Sequence, residues 1–346
     1  MRLDDTRQPS EVGVIGAGSW GTAIANLLAK KELPIDLWAY ESEVAEQINT
    51  DHENLVFLPG HKLSPNLKAS NDLSEVVSQK STLIVVVPSH VFRQTMQAAA
   101  KHIDSNTIVV AASKGIETNT GLTMHGILRE TLPHIPSQNL AVLSGPSFAK
   151  EVVTDVPTVV TVASESHDVA VAVQNLFATP YFRVYTSTDI IGVELGGAVK
   201  NVIAIASGMV DGMGLGLNTR AALLTRGLAE IRRLGAKLGA NPDTCMGLAG
   251  FGDLVLTATG NLSRNYSFGK RIGSGETAEA ILASSRMVVE GYHNAKTVHE
   301  LATTQEVEMP IAEAVYCILY KGLSPKDAVY QLMTRQLKPE LDDLTL

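Results

Sequence analysis

Two lysines, one aspartate and a Ser-Arg-Asn triplet are the side chains of this sequence best suited to act on a small anionic molecule. Lys114 follows the apolar run Ile108 to Ala112, so it projects from the carboxyl end of a strand. Lys200 lies in Glu194-Leu195-Gly196-Gly197-Ala198-Val199-Lys200-Asn201, beside a nearly side-chain-free stripe of Gly197, Asn201, Ala204 and Gly208 at helical spacing. Asp253 closes the glycine-rich stretch Gly247-Leu248-Ala249-Gly250-Phe251-Gly252, where a carboxylate can hold a lysine in place. Ser263-Arg264-Asn265 flanks an arginine fork with a hydroxyl and an amide, a donor set that suits a phosphate group. Each feature also has a plainer reading. A lone lysine after a strand is more often a solvated loop residue, a small-residue stripe also suits tight helix packing, and such a triplet is more often a turn or helix cap. Spacing alone leaves both readings open.

A different chemistry is written in Gly16-Ala17-Gly18-Ser19-Trp20-Gly21, which stands between the apolar run Val12 to Ile15 and a helix-like stretch, Thr22 to Lys31. Strand, glycine turn and helix in this order form a dinucleotide cradle. The first glycine permits the tight turn, the second lets backbone approach a pyrophosphate, and the third lets helix pack on strand. The helix N-terminus then offers free N–H groups and a partial positive charge to the anion.

Composition narrows the choices. The 346 residues allow two domains with sizeable cores, and 45% hydrophobic with 18% charged residues describes an ordinary globular chain. A net charge of −8 argues against nucleic acid as a partner, because phosphate-backbone binding needs a concentrated basic surface. Any phosphate site must be local. Cys245 and Cys317 stand far apart, in no metal or redox spacing, which suits a reducing compartment. No metal site is expected: His299-Glu300 begins a zincin-like pattern, but position 303 is threonine. No serine-hydrolase elbow occurs, and Ser89 reads as the cap of a helix that His90 begins. Met1 to Ser10 carries Asp4 and Asp5 and no apolar core, unlike a signal peptide, and the apolar span Val202 to Leu217 is interrupted by Asp211, too short and polar to cross a bilayer. These features predict a soluble cytoplasmic protein with no integral membrane segment.

The elements that must position these residues follow from periodicity. Strand-like runs at 12–15, 35–39, 83–87, 108–112, 141–144, 159–163 and 182–185 alternate with helical stretches such as His90 to Lys101 and Leu122 to Leu132, the rhythm of a parallel sheet covered on both faces. From Ile190 helical periodicity takes over: Arg220 to Leu238 is amphipathic, and Thr277 to Ser284, Asn294 to Thr303, Pro310 to Leu319 and Pro325 to Met333 follow, two of them opened by proline. The expected fold is α/β, with an N-terminal Rossmann-type doubly wound sheet over 1–187 and a C-terminal all-helical domain over 188–346. A second ligand is expected in the crevice beyond the carboxyl ends of the strands.

With these pieces in order, the sequence resembles the bacterial NAD(P)-dependent glycerol-3-phosphate dehydrogenase family along nearly its whole length. The segments that carry the resemblance are Gly16 to Gly21, Val87-Pro88-Ser89-His90, Ser144-Gly145-Pro146-Ser147-Phe148-Ala149-Lys150-Glu151, Glu194 to Asn201, Gly250 to Leu254, and Ser263-Arg264-Asn265. The resemblance implies hydride transfer between NAD or NADP and carbon 2 of a three-carbon phosphate, interconverting sn-glycerol 3-phosphate and dihydroxyacetone phosphate, with reduction serving glycerophospholipid synthesis. By the same resemblance Lys200 is the acid/base, Lys114 touches both substrate and cofactor, and Asp253 orients lysine and substrate. It places Gly145, Ser147, Ser263, Arg264 and Asn265 at the substrate, and Ser19, Trp20, Tyr40, Ala149, Val288, Glu290 and also Arg264 at the cofactor. A homodimer is implied as well.

Position 20 holds tryptophan where an aromatic residue is common, which keeps a stacking role. The second strand ends in Tyr40-Glu41-Ser42, where NADP users of the family often carry a basic or imidazole side chain. Glu41 lies twenty residues after Gly21, the place from which a carboxylate bonds an adenosine ribose and repels a 2′-phosphate, so good use of NADH is expected. The competing readings are a hydroxyacid or 6-phosphogluconate-type dehydrogenase, against which the Ser263-Arg264-Asn265 segment argues, and a redox sensor without turnover, against which both lysines and Asp253 argue.

Overall fold

The structure, a computed structural model, describes residues 12–284 and 288–340. The expectation about Met1 to Ser10 lies outside the described residues. The chain divides into two compact units: the first holds the chain up to Lys114 and Met124–Ile190, the second holds Gly115–Thr123 and the chain from Ile191 onward. The expected boundary at 187/188 lies three residues before this division, and the segment 115–123, assigned to the first domain by its position in sequence, goes with the second unit. Its Ile116 pairs with Thr123 in an isolated bridge and packs in the core of the helical unit, an anchor that a run of strands and helices does not announce.

Among the described residues of the first unit ten strands form: β1 Val12–Ile15, β2 Ile35–Trp38, β3 Glu53–Asn54, β4 Leu58–Lys62, β5 Leu67–Ser70, β6 Thr82–Val85, β7 Ile108–Ala111, β8 Leu140–Ser144, β9 Thr158–Ser164 and β10 Phe182–Ser187. Eight make one sheet in the order β10-β9-β8-β7-β6-β1-β2-β5, while β3 and β4 pair antiparallel by themselves. Strands β6 and β2 flank β1 on opposite sides, so the strand order reverses at the glycine turn that follows β1, the place where open α/β sheets bind ligands. All four residues of β1 are buried, as are those of β6, because helices cover both faces.

One strand departs from the expected parallel sheet: β9 runs antiparallel to β8. The link between them contains only the four-residue helix Ala149–Val152, about 6 Å of rise, against about 17 Å for a five-residue strand. With no longer helix to carry it across the sheet, the chain comes back antiparallel. The 11-residue helix His167–Phe177 then restores a parallel β9–β10 pair. Strands β3 to β5 escaped periodicity because β3 has only two residues, β4 exposes Pro59 and Gly60, and β5, Leu-Lys-Ala-Ser, carries few apolar residues.

The second unit is helical apart from that bridge among its described residues, and it is built around the helix Ile190–Gly212. By length and composition this helix is apolar enough to cross a membrane, and it starts well before the span Val202 to Leu217 read from sequence. Burial of 94% of its apolar window inside the protein marks it as a core helix. It meets the helix Arg264–Gly273 backbone to backbone: a Cβ on Gly208 would stand 2.0 Å from the Tyr266 carbonyl oxygen, and one on Gly269 would stand 2.0 Å from that of Ile205. A Cβ on Gly196 would likewise fall 2.7 Å from the Ala249 oxygen. The small-residue stripe therefore serves helix packing. Prolines open the helices Pro310–Lys321 and Pro325–Met333, as their fixed φ favours.

Candidate active site

Around the first turn the three glycines do separate work. Gly16 has φ +116°, a conformation that a side chain disfavours, and its N–H donates to the Trp38 carbonyl at 3.0 Å. A Cβ on Gly21 would stand 1.8 Å from the Gly16 oxygen, so helix and turn touch only because position 21 is glycine. A Cβ on Gly18 would meet nothing within 4 Å, which leaves its backbone open to an approaching group. Gly18 also caps the helix Ser19–Ala29 without a side-chain bond, and no acidic residue occupies its first turn. This cradle fits a pyrophosphate, which would take the place of the missing cap.

Ser19 donates its hydroxyl to the Phe57 carbonyl at 2.6 Å, and Trp20 is half-buried against the core. Tyr40 is 76% exposed just beyond β2, its ring edge-on to Trp38. Glu41 is the N-cap of the helix Ser42–Asp51, yet its carboxylate makes no capping hydrogen bond.

Lys114, Gly145 and Ser147 come together at the carboxyl edge of β7 and β8. The Lys114 ammonium donates to the Gly145 carbonyl at 2.9 Å, and the Ser147 hydroxyl donates to the same oxygen at 3.1 Å. Gly145 has φ +145°, and a Cβ there would stand 2.9 Å from Val160 Cα. Ala149 opens the short helix that follows and packs half-buried on the core. Ser113 Oγ donates to the Val87 carbonyl at 2.6 Å, which joins the exits of β7 and β6. Next to it Pro88, and not Ser89, holds the N-cap position of the helix Ser89–Ala99, with extended ψ and no side-chain capping bond.

The second unit holds the other cluster. Lys200 is 5% exposed, yet its Nζ donates to Asp253 Oδ1 at 2.5 Å and to Thr257 Oγ1 at 2.6 Å. Asp253, 1% exposed, begins the helix Asp253–Thr259 directly after a π-helical turn, Leu248–Gly252, and Thr257 follows one turn on. Burying an ammonium is tolerable only when it is paired and hydrogen-bonded, and this pair supplies both. Thr257 was not picked out from the sequence, although its i, i+4 spacing from Asp253 places both on one face.

Ser263 caps the helix Arg264–Gly273, its Oγ accepting from the Tyr266 N–H at 3.2 Å. Asn265 is buried and bridges three helices: its Nδ2 donates to Asn201 Oδ1 at 2.8 Å, and its Oδ1 accepts from the Gly291 N–H at 2.9 Å. Arg264 reaches the Val288 carbonyl with Nη1 at 3.0 Å, while Glu290 begins the helix Glu290–Thr304. The guanidinium keeps solvent access, but the protein crowded around it pulls its pKa below the usual arginine value, and the Glu290 charge opposes that shift. It stays a cation at any physiological pH. The structure thus joins Lys114 with Gly145 and Ser147, Lys200 with Asp253, and Arg264 with Val288; the first group lies in one unit and the other two in the second.

Comparison with known proteins agrees with these elements. Residues 11–170 match the family model for the NAD-dependent glycerol-3-phosphate dehydrogenase N-terminus, and residues 189–330 match the one for its C-terminus. The glycerol-3-phosphate dehydrogenase [NAD(P)+] of Citrifermentans bemidjiense is 52% identical over 95% of this chain and 98% of its own, and that of Geobacter sulfurreducens is 51% identical over the same shares. The crystal structure of the Coxiella burnetii glycerol-3-phosphate dehydrogenase superposes with a TM-score of 0.90 at 39% identity, covering 94% of this chain and 99% of that one. This chain belongs to the NAD-dependent glycerol-3-phosphate dehydrogenase family.

Proposed function

We propose that this chain interconverts dihydroxyacetone phosphate and sn-glycerol 3-phosphate with NAD(H) or NADP(H), and that Lys200 is the acid/base. The observation that carries this reading is a buried ammonium held at 2.5 Å from Asp253 and 2.6 Å from Thr257, a proton carrier fixed in direction. When bound, the nicotinamide supplies or takes up a hydride at carbon 2 of the substrate. As the carbonyl is reduced, Lys200 gives a proton to the carbon-2 oxygen; in the reverse direction it takes that proton back. Asp253 and Thr257 orient the ammonium and balance its charge.

Gly16, Gly18 and Gly21 cradle the pyrophosphate, with Ser19, Trp20, Tyr40, Ala149, Val288 and Glu290 as further cofactor contacts. Lys114, Gly145 and Ser147 contact the substrate, and Lys114 the cofactor as well. Arg264, at the N-terminus of its helix with Ser263 and Asn265, takes the substrate phosphate by charge and by its forked donors, and also contacts the cofactor. The Asn265 amide spends one N–H on Asn201 and its oxygen on Gly291, so its remaining amide N–H and its backbone N–H are the donors proposed for the phosphate. Glu41 favours NADH, because its carboxylate is not used for capping. Cytoplasmic location, a homodimer and supply of glycerophospholipid synthesis complete the proposal; Cys245 and Cys317, which form no disulfide, support the first.

The test is loss of reduced-nicotinamide absorbance when purified protein meets dihydroxyacetone phosphate, with NADH and NADPH side by side. Loss with either cofactor is expected. No loss with both, together with turnover of a hydroxyacid, would overturn the reading.

A further inference from the structure

Asn294 lies on the first turns of the helix Glu290–Thr304 and is 0% exposed. Its Nδ2 donates to the Ala198 carbonyl at 3.1 Å, while its Oδ1 meets no donor among the described residues. The amide cannot be turned round, because its oxygen would then face the Ala198 oxygen. A half-satisfied buried amide costs stability that leucine or methionine would not. Its neighbours show what it touches: Ala198 is two residues before Lys200, and one turn earlier on the same face a Cβ on Gly291 would stand 2.7 Å from the Asn201 oxygen. Asn265 closes the junction by bonding both Asn201 and the Gly291 N–H. Three helices meet here, and they carry Lys200, Arg264 and Glu290.

We propose that Asn294 is a positioning residue: its bond to Ala198 sets the register of the helix that begins at Glu290 against the helix that carries Lys200, so that cofactor contact and acid/base are delivered together. The inference rests on the proposed role of Lys200. Gly291 lets the two helices approach; the Asn265 bridge reaches across through a third helix, and the Asn294 bond to Ala198 joins the two directly. A misplacement of about 1 Å is enough to cost a reaction up to ~100-fold, so register is a catalytic quantity.

The test compares Asn294→Leu with the parent protein for melting temperature, dinucleotide affinity by fluorescence titration, KM for dihydroxyacetone phosphate, and kcat with its pH profile. Leucine fills the space and removes the unsatisfied oxygen, so the expected result is an unchanged or higher melting temperature, a kcat lower by ~10-fold or more, and a KM that moves far less. A folded Asn294→Leu with parental kcat and pH profile would overturn the proposal. If that variant does not fold, Asn294→Ala is read in the same way; should both melt well below the parent, Asn294 is a packing residue and the proposal fails. Lys200→Ala in the same assay separates the two ideas: full turnover in that variant defeats the acid/base reading, whereas its inactivity beside a fully active Asn294→Leu defeats only the positioning role.

Discussion

Gly208 and Tyr266 touch backbone to backbone, with the space for a Cβ on Gly208 lying 2.0 Å from the Tyr266 carbonyl oxygen. Through this contact the helix of Lys200 and the helix of Arg264 are held at a spacing that no side chain can enter. Gly208→Ala is therefore expected to destabilise the protein by about 3 kcal/mol, since the atom met is backbone and cannot rotate away. Denaturant unfolding measures it, and kcat of any folded fraction should fall as well. Parental stability would show that the two helices separate easily.

Glycines 18 and 21 should behave in opposite ways. A Cβ on Gly21 would overlap the Gly16 oxygen, so Gly21→Ala is expected to lower the melting temperature. At Gly18, with φ −65° and open space around the Cβ position, alanine fits the protein itself. Gly18→Ala should keep the melting temperature and weaken dinucleotide binding by ~10-fold, because the methyl group occupies the approach of the pyrophosphate. Unchanged affinity in Gly18→Ala would contradict the cradle.

What was legible in the sequence and what was not divides along physical lines. β1, β6 and β7 are runs rich in β-branched residues and almost wholly buried, β8 is an apolar run buried throughout, and β2 alternates buried with half-buried residues, so hydrophobic pattern finds them. The direction of β9 depends on how the link after β8, with its one short helix, folds back, which pattern does not encode. Asp253 was readable as a partner for a lysine, but Thr257 and Asn294 acquire their roles only through contacts 57 and 96 residues away in the chain. The stripe beside Lys200 admitted two readings, and only the backbone of Tyr266 against Gly208 decides for packing.

Glu41 gives a prediction on cofactor choice. Its carboxylate at the exit of β2 makes no capping bond, and a 2′-phosphate placed beside it would meet like charge. Glu41→Ala is expected to raise kcat/KM for NADPH relative to NADH by ~10-fold, since one repulsive contact is removed. Equal ratios in parent and variant would move cofactor choice elsewhere in the chain.

Glu230 makes stability depend on pH. It is buried, and its two oxygens accept from the Ile311 N–H at 2.7 Å and the Ala312 N–H at 3.1 Å at the start of the helix Pro310–Lys321. Burial pushes its pKa up to about 7, against the pull of those two N–H groups and of Arg233 and Arg226. The folded protein thus holds this proton more tightly than the unfolded chain, whose value is the ordinary 4.5. Stability from this group is complete below that ordinary value and is lost as pH rises toward 7, by roughly 3 kcal/mol in all. In Glu230→Gln that decline should vanish from a series of unfolding curves recorded between mildly acidic and neutral pH; a variant with the parental slope would assign the loss to other groups.

Lys200 is the centre of the account, and the most direct measurement is the rate of NADH oxidation by parent and Lys200→Ala with dihydroxyacetone phosphate, accompanied by dinucleotide titration of both. The account predicts turnover in the parent, a kcat lower by at least ~100-fold in the variant, and similar dinucleotide affinity in the two proteins, because Lys200 is not among the proposed cofactor contacts. A variant that turns over at the parental rate would contradict the acid/base role of Lys200.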